Sequence, residues 1–322
     1  TPDQVIAEME AIYHLGWRRE VFICDDNFVG YRDQARAILT KLIPWVVSHD
    51  EPFSFWTQTS VNLGQDLEMI DLLTAANFAT VFIGVESPDE EVLHSNRKYQ
   101  NIKNPLGQSL SNICANGLSL MASFVFGFDN EKPGVDKRVC AFVEQHHLPI
   151  VVLNILQVLP NTSLWERLHK EGRLVEKMTS GDTQDFQLNY VPTRPAAEIL
   201  AEFRATVDRL YEPSRYLERA YRYFLTMRPT RRFLAEQKGE ATESLGKKQS
   251  RFHQDNLRDL AGLGQLLWQH GVRAGYRAQF WRQLWGIYRQ NPSRLVKYLL
   301  CLALGENMFR LREEVLRKAA IS

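Results

Sequence analysis

The chain has 322 residues, 44% of them hydrophobic and 24% charged, with a formal net charge of +1, so it can bury a substantial core as one large domain with an appendage or as two domains. Nothing at the N-terminus resembles a signal peptide. The longest apolar run, Leu299 to Leu304, is far short of the roughly 20 residues of a membrane span, which together read as a cytoplasmic protein.

The near-neutral balance hides an asymmetry. Residues 213–322 carry 21 Lys and Arg against 9 Asp and Glu, and the remainder is acidic, so the two parts are expected to meet different surroundings. The four cysteines, Cys24, Cys114, Cys140 and Cys301, have no chelating spacing and read as small buried thiols.

In chain order, TPDQVIAEMEAIYHLG reads as a complete helix. Thr1 is the N-cap, Pro2 the first helical position, Gln4 closes a capping box and Gly16 is the stop. Apolar runs follow at Val21–Cys24, Phe53–Thr57, Thr80–Val85, Leu120–Phe128 and Ile150–Val158. Helical stretches lie between them near Arg32–Val47, Asp66–Ala76, Pro105–Asn116 and Gly134–Gln145. This alternation predicts parallel βαβ units, and the successive apolar residues predict strands covered on both faces. From about Leu164 the chain turns helical, capped by Thr162 or Ser163. A polar loop spans Met178 to Asp185, a long helix runs through Ile199 to Leu210, and residues 228–254 read as an exposed linker before a basic, helical remainder.

Parallel units gather chemistry at the carboxyl ends of their strands, whether the sheet closes into a barrel or opens as a doubly wound fold. Those ends carry Asp25, Asp26 and Asn27; Gln58; Glu86 and Ser87; Asp129, Asn130 and Glu131; and Pro160 with Asn161. An Asp or Asn after a strand often makes only a turn or a cap. Because side chains alternate along a strand, one of Asp25 and Asp26 is expected to face the mouth.

The ordered motifs VFICDDNFVG, FWTQTS, VFIGVESPDEEVL with RKYQN, SFVFGFDNE and LQVLPNTSLWERLHKEGRL resemble the radical S-adenosylmethionine (radical SAM) superfamily, in particular its cobalamin-associated branch. The segment from LNYVPTRP to LYEPSRYLERAYRYF is similar to a C-terminal extension found there. The resemblance implies an α/β fold: a partial (β/α) TIM-like barrel lacking its first strand over residues 1–178, then a mostly helical region over 179–322. It also implies a [4Fe-4S] cluster held by a C-x3-C-x2-C triplet that this sequence does not contain and that is expected upstream of Thr1.

What the resemblance implies for function is reductive cleavage of S-adenosylmethionine to a 5'-deoxyadenosyl radical. The outcome would be cobalamin-associated methyl transfer, or oxidation or rearrangement of a hydrophobic or lipid-like substrate, with electrons from a flavodoxin or ferredoxin. Asp25 or Asp26 would accept from the ammonium of S-adenosylmethionine, Glu86 would meet the ribose hydroxyls with Ser87 beside it in the cofactor site, Gln58 would face the same mouth and Lys98 would pair with the carboxylate. Gly127, Asp129 and Asn130 would form the adenine wall. Leu159-Pro160-Asn161 stands where the family often has Leu-Pro-Gly.

Two other readings stand beside this one. A barrel without its cluster would serve as an S-adenosylmethionine sensor or scaffold, whereas a Schiff-base aldolase needs a lysine ending a strand and none is present. In WQHGVRAGYRAQFWRQLWGIYRQ, aromatics interleave with arginines, a pattern that suits an anionic membrane surface, while the helical spacing of Phe280, Leu284 and Ile287 suits packing against the barrel with solvated arginines on the other face. No nucleic-acid motif accompanies the charge.

Overall fold

The computed structural model describes residues 1–96, 98–103, 105–175, 187–239 and 256–319. Five strands, β1 (Glu20–Ile23), β2 (Ser54–Gln58), β3 (Phe78–Glu86), β4 (Ser119–Phe126) and β5 (Ile150–Ile155), form one all-parallel sheet in the order β1-β2-β3-β4-β5. Sequential order belongs to a (β/α) barrel; a doubly wound sheet would reverse at a switch point.

The first helix, α1 (Pro2–His14), carries the expected capping box: Gln4 N donates to Thr1 Oγ1 at 3.4 Å while the Thr1 amino group donates to Gln4 Oε1 at 2.8 Å. Between the strands run α2 (Arg32–Ser48), α3 (Leu67–Ala75), α4 (Glu90–Ser95), α5 (Gln100–Lys103), α6 (Leu106–Ala115) and α7 (Val135–Gln145). Asp66 caps α3 by accepting from Met69 N. One face of the sheet, with Phe55, Val81, Ile83, Phe124, Val151 and Leu153, is fully packed under these helices.

Burial alternates along β2 and β3, unlike the continuous cover expected. Trp56, Gln58, Phe82, Gly84 and Glu86 on the opposite face are only half buried. The helices therefore cover one side, and the other is left to line an opening at the carboxyl ends.

The C-terminal region comprises α8 (Ser163–Lys170), α9 (Ala196–Leu210), α10 (Pro213–Thr226), α11 (Arg231–Lys238), α12 (Asn256–Trp268), α13 (Arg277–Gln290) and α14 (Leu295–Ala319), with a π turn at Gln269–Arg273. It is joined to the sheet by buried polar contacts. The Tyr211 hydroxyl donates to Val151 O at 2.7 Å, and the Tyr223 hydroxyl accepts from Leu120 N at 2.8 Å and donates to Leu118 O at 3.3 Å. Residues 231–238, read from sequence as linker, form α11 because Thr230 caps it by accepting from Phe233 N. The rest of that linker from 240 and the polar loop at 178–185 lie outside the described residues. No described helix is long and apolar enough to cross a membrane.

Candidate functional site

Three strand ends and the chain after β3 enclose one cleft of about 220 Å³. It is lined by Asp26 and Asn27 after β1, Gln58, Thr59 and Ser60 at the end of β2, Phe82, Gly84 and Glu86 on β3, and Lys98 and Asn101. The lining is mostly polar. At this size the cleft suits part of a nucleoside-sized ligand, since whole small-molecule sites usually occupy about 300–1,000 Å³. A larger apolar hollow of about 480 Å³ lies beside α1 and the amino end of β1, between Ile12, Leu15, Trp17 and Val21. It has no titratable group but Glu20 and sits at the opposite end of the strand from the polar rim.

The backbone around the cleft is built for this purpose. At the end of β3 the register with β4 shifts between Gly84 and Glu86, and Glu86 adopts φ of 68°, a left-handed conformation rare outside glycine. Beside this break buried Asn101 donates through Nδ2 to Gly84 O at 3.0 Å and to Val85 O at 3.1 Å, which also accepts from Ser87 N at 2.9 Å. Lys98 Nζ, three residues earlier, donates to Glu86 Oε1 at 2.9 Å. Gly84 leaves room for that carboxylate: a Cβ there would stand 2.8 Å from Glu86 Oε1.

The loop after β1 is locked to the end of β2. Phe28 N donates to Gln58 O at 3.1 Å and Ser60 N to Asn27 Oδ1 at 3.1 Å. Asp25 is consumed by the local turn, its Oδ1 accepting from Asn27 N at 2.8 Å, which leaves Asp26 as the carboxylate on the cleft.

Of the residues expected at the mouth, the structure thus brings together Asp26, Gln58, Glu86 and Lys98. It does not bring Asp25, Ser87, Gly127, Asp129 or Asn130 into that cleft. Ser87 is buried and its Oγ accepts from Asp89 N ahead of α4. Gly127, at φ of 105°, is closed over by Tyr190, whose hydroxyl donates to Gly127 O, and by Leu188. Asn130 is exposed.

Asp129 pairs with Arg167 at 2.8 Å and with Arg173. Burial alone would raise its carboxyl, but the hydrogen bonds from Arg173 and Arg167 outweigh it and hold the group below the usual range. Asn161 takes φ of 63°, so asparagine fills the left-handed position where the resembled motif has glycine.

Of the cleft lining, sequence reasoning missed Asn101 and Ser60. Asn101 carried one available signal, a spacing of three from Lys98 that places both on one helical turn. Asn154 lies inside a run read as apolar, yet its Nδ2 donates to Ser123 Oγ at 3.1 Å.

No group of three or more His, Cys, Asp or Glu among the described residues could hold a metal ion. Cys114, Cys140 and Cys301 are buried, which raises their thiols to about 11, about 11 and about 12, so they are inert; Cys24, expected to be buried, is exposed. An iron–sulfur cluster therefore does not fit on these residues. The carboxylate acceptors, the amides and the ammonium donor of the cleft do fit the amino-acid and ribose portions of S-adenosylmethionine, which offer an ammonium, a carboxylate and two hydroxyls.

Residues 162–320 match DUF4070, a domain of unknown function. The chain is 38% identical over 314 residues to the uncharacterized methyltransferase sll1242 of Synechocystis, covering 98% of this chain and 56% of that protein. It is 29% identical over 282 residues to the hopanoid C-2 methylase of Rhodopseudomonas palustris, covering 88% of this chain and 50% of the relative. The chain thus spans about half the length of the curated relatives it matches. A solved structure of the radical S-adenosylmethionine methyltransferase TsrM from Kitasatospora setae, with cobalamin and a [4Fe-4S] cluster bound, aligns at a TM-score of 0.47 and 18% identity over 64% of this chain and 38% of that one. The chain is thus similar to a methyltransferase and a methylase over most of its own length, and its strands carry the motif succession described above.

Proposed function

We propose that this chain supplies the S-adenosylmethionine-binding face of a radical SAM methylase acting on a hydrophobic substrate. The observation that carries the reading is the convergence of Asp26, Gln58, Glu86 and Lys98, from three strand ends and the segment beyond, on one polar cleft. The names of two relatives, a methyltransferase and a hopanoid C-2 methylase, support methyl transfer over the other outcomes of this chemistry.

In this reading Asp26 accepts from the ligand ammonium, and Glu86 and Gln58 meet the ribose hydroxyls. Lys98 gives one of its three donors to Glu86 and, 41% exposed along its side chain, keeps the others for the ligand carboxylate. The iron–sulfur cluster and cobalamin, when bound, supply reductive cleavage and the methyl carrier. The described residues include no group of three or more His, Cys, Asp or Glu to hold the cluster, and the part of this chain is to orient the ligand and exclude water. A small reductant, a flavodoxin or ferredoxin, would feed the cluster.

The test uses the full-length protein with its cluster reconstituted under anaerobic conditions. Wild type should bind S-adenosylmethionine and cleave it reductively, and Glu86→Gln should weaken binding by roughly tenfold to a hundredfold, the scale of one hydrogen bond to a charged group. Absence of cleavage by wild type, or unchanged affinity in the variant, would overturn the assignment.

A further inference from the structure

The last helices leave aromatic surface uncovered. α13 buries Phe280, Gln283 and Ile287 and turns Trp281, Trp285 and Tyr288 outward at 47%, 60% and 55% exposure. Spacings of four and three place these three on one stripe. Trp285 and Tyr288 are stacked, with ring centroids 5.5 Å apart. Trp281 is fixed by its indole N–H, which donates to Gly271 O at 2.9 Å. The stripe therefore abuts the π turn, where Val272 is exposed and Trp268 precedes it, also exposed.

Charge accompanies the aromatics. Between Asp259 and Glu306 the sequence has no Asp or Glu and six Lys and Arg. Two of the six turn inward, Arg294 to Arg228 O at 2.8 Å and Lys297 to Ala79 O at 3.4 Å. The other four, Arg273, Arg277, Arg282 and Arg289, are exposed, and Arg282 and Arg289 each adjoin a stripe aromatic.

We infer that this face of α13 and the π turn rests on an anionic lipid surface, with Trp281, Trp285 and Tyr288 at headgroup depth and Arg282 and Arg289 on the lipid phosphates. Trp and Tyr favour that depth because an apolar ring body carries a polar tip, and arginine is drawn to the negative surface potential. A second copy of the chain is a poorer occupant. A two-fold contact on this face would set arginines near arginines with no acid from the same stretch to pair them. The contact is peripheral, since no described helix is suited to cross a bilayer, and it is independent of what the cleft binds.

Co-sedimentation of the full chain with vesicles of phosphatidylcholine alone, or containing phosphatidylglycerol, tests this. Binding should require phosphatidylglycerol and reverse as salt is raised. The double variant Arg282→Gln, Arg289→Gln should bind roughly 30-fold more weakly, and Trp285→Ala should weaken binding with the far-ultraviolet spectrum unchanged. Failure of wild type to bind, binding indifferent to lipid charge, or a dimer in ultracentrifugation that Trp285→Ala dissociates would each overturn the inference; the salt response of wild type decides it even if a variant misfolds.

Discussion

The acidic cluster at the end of β1 shows how single residues divide their work. Asp25 spends its carboxylate on the turn and Asp26 presents its own to the cleft, so two neighbouring acids have different roles. Gly84 makes a comparable division testable. Its missing Cβ clears the path of the Glu86 carboxylate, and the only close neighbours of an added methyl would be that flexible side chain's terminal atoms. Gly84→Ala should therefore deflect Glu86 and break its 2.9 Å pair with Lys98 while leaving the strand intact. The expected outcome is a loss of S-adenosylmethionine affinity of roughly tenfold, measured by equilibrium dialysis on the full-length protein, with a stability change under about 1 kcal/mol. A large drop in melting temperature would show that the strand, rather than the carboxylate, needs the space.

Among the elements, α10 does the most to fasten the helical region to the sheet. Tyr223 is buried and its hydroxyl serves both Leu120 N and Leu118 O at the start of β4. Burial raises its phenol well above the ordinary value, so it stays a neutral donor and acceptor at all working pH values. Tyr223→Phe keeps the ring and strands one amide and one carbonyl in the core, so it should cost about 1–3 kcal/mol in chemical denaturation. A cost near zero would mean that the two backbone groups find other partners. Nothing in the helical periodicity of residues 213–226 distinguishes Tyr223 from Phe224, its neighbour in the core, because partner identity is set by where β4 begins.

At the scale of the whole molecule, the β4–α7 loop is joined to the C-terminal region through Glu131. Its Oε2 accepts from Gly127 N at 3.1 Å and lies 3.6 Å from Arg194, which also pairs with Glu202 at 2.7 Å. Burial pushes the Glu131 carboxyl up to about 7, against the downward pull of the Gly127 amide and Arg194. An acid raised on folding binds its proton more tightly in the native state. Its contribution is therefore complete below the unfolded value near 4.5 and is lost as pH rises through about 7. The loss is on the order of 3 kcal/mol. Denaturation series from pH 4.5 to 8 should show wild type losing stability across that window and Glu131→Gln losing much less. Parallel curves would remove Glu131 as the origin.

The sequence alone determined the βαβ order, most element boundaries and the polar character of the strand ends, because covalent spacing writes periodicity, capping and strand ends directly into the chain. The Thr1 capping box, the helical stretch from Asp66 and the apolar run ahead of Glu86 were all legible in this way. Only the tertiary structure decided that Asp26 rather than Asp25 meets the cleft, that Asp129 belongs to an arginine cluster, and that Asn101 secures the break in β3. It also decided that Phe280 and Ile287 pack inward while Trp281, Trp285 and Tyr288 on the same helix lie outward. Each of these depends on which distant backbone group or side chain arrives alongside, a relation between segments that local pattern does not contain.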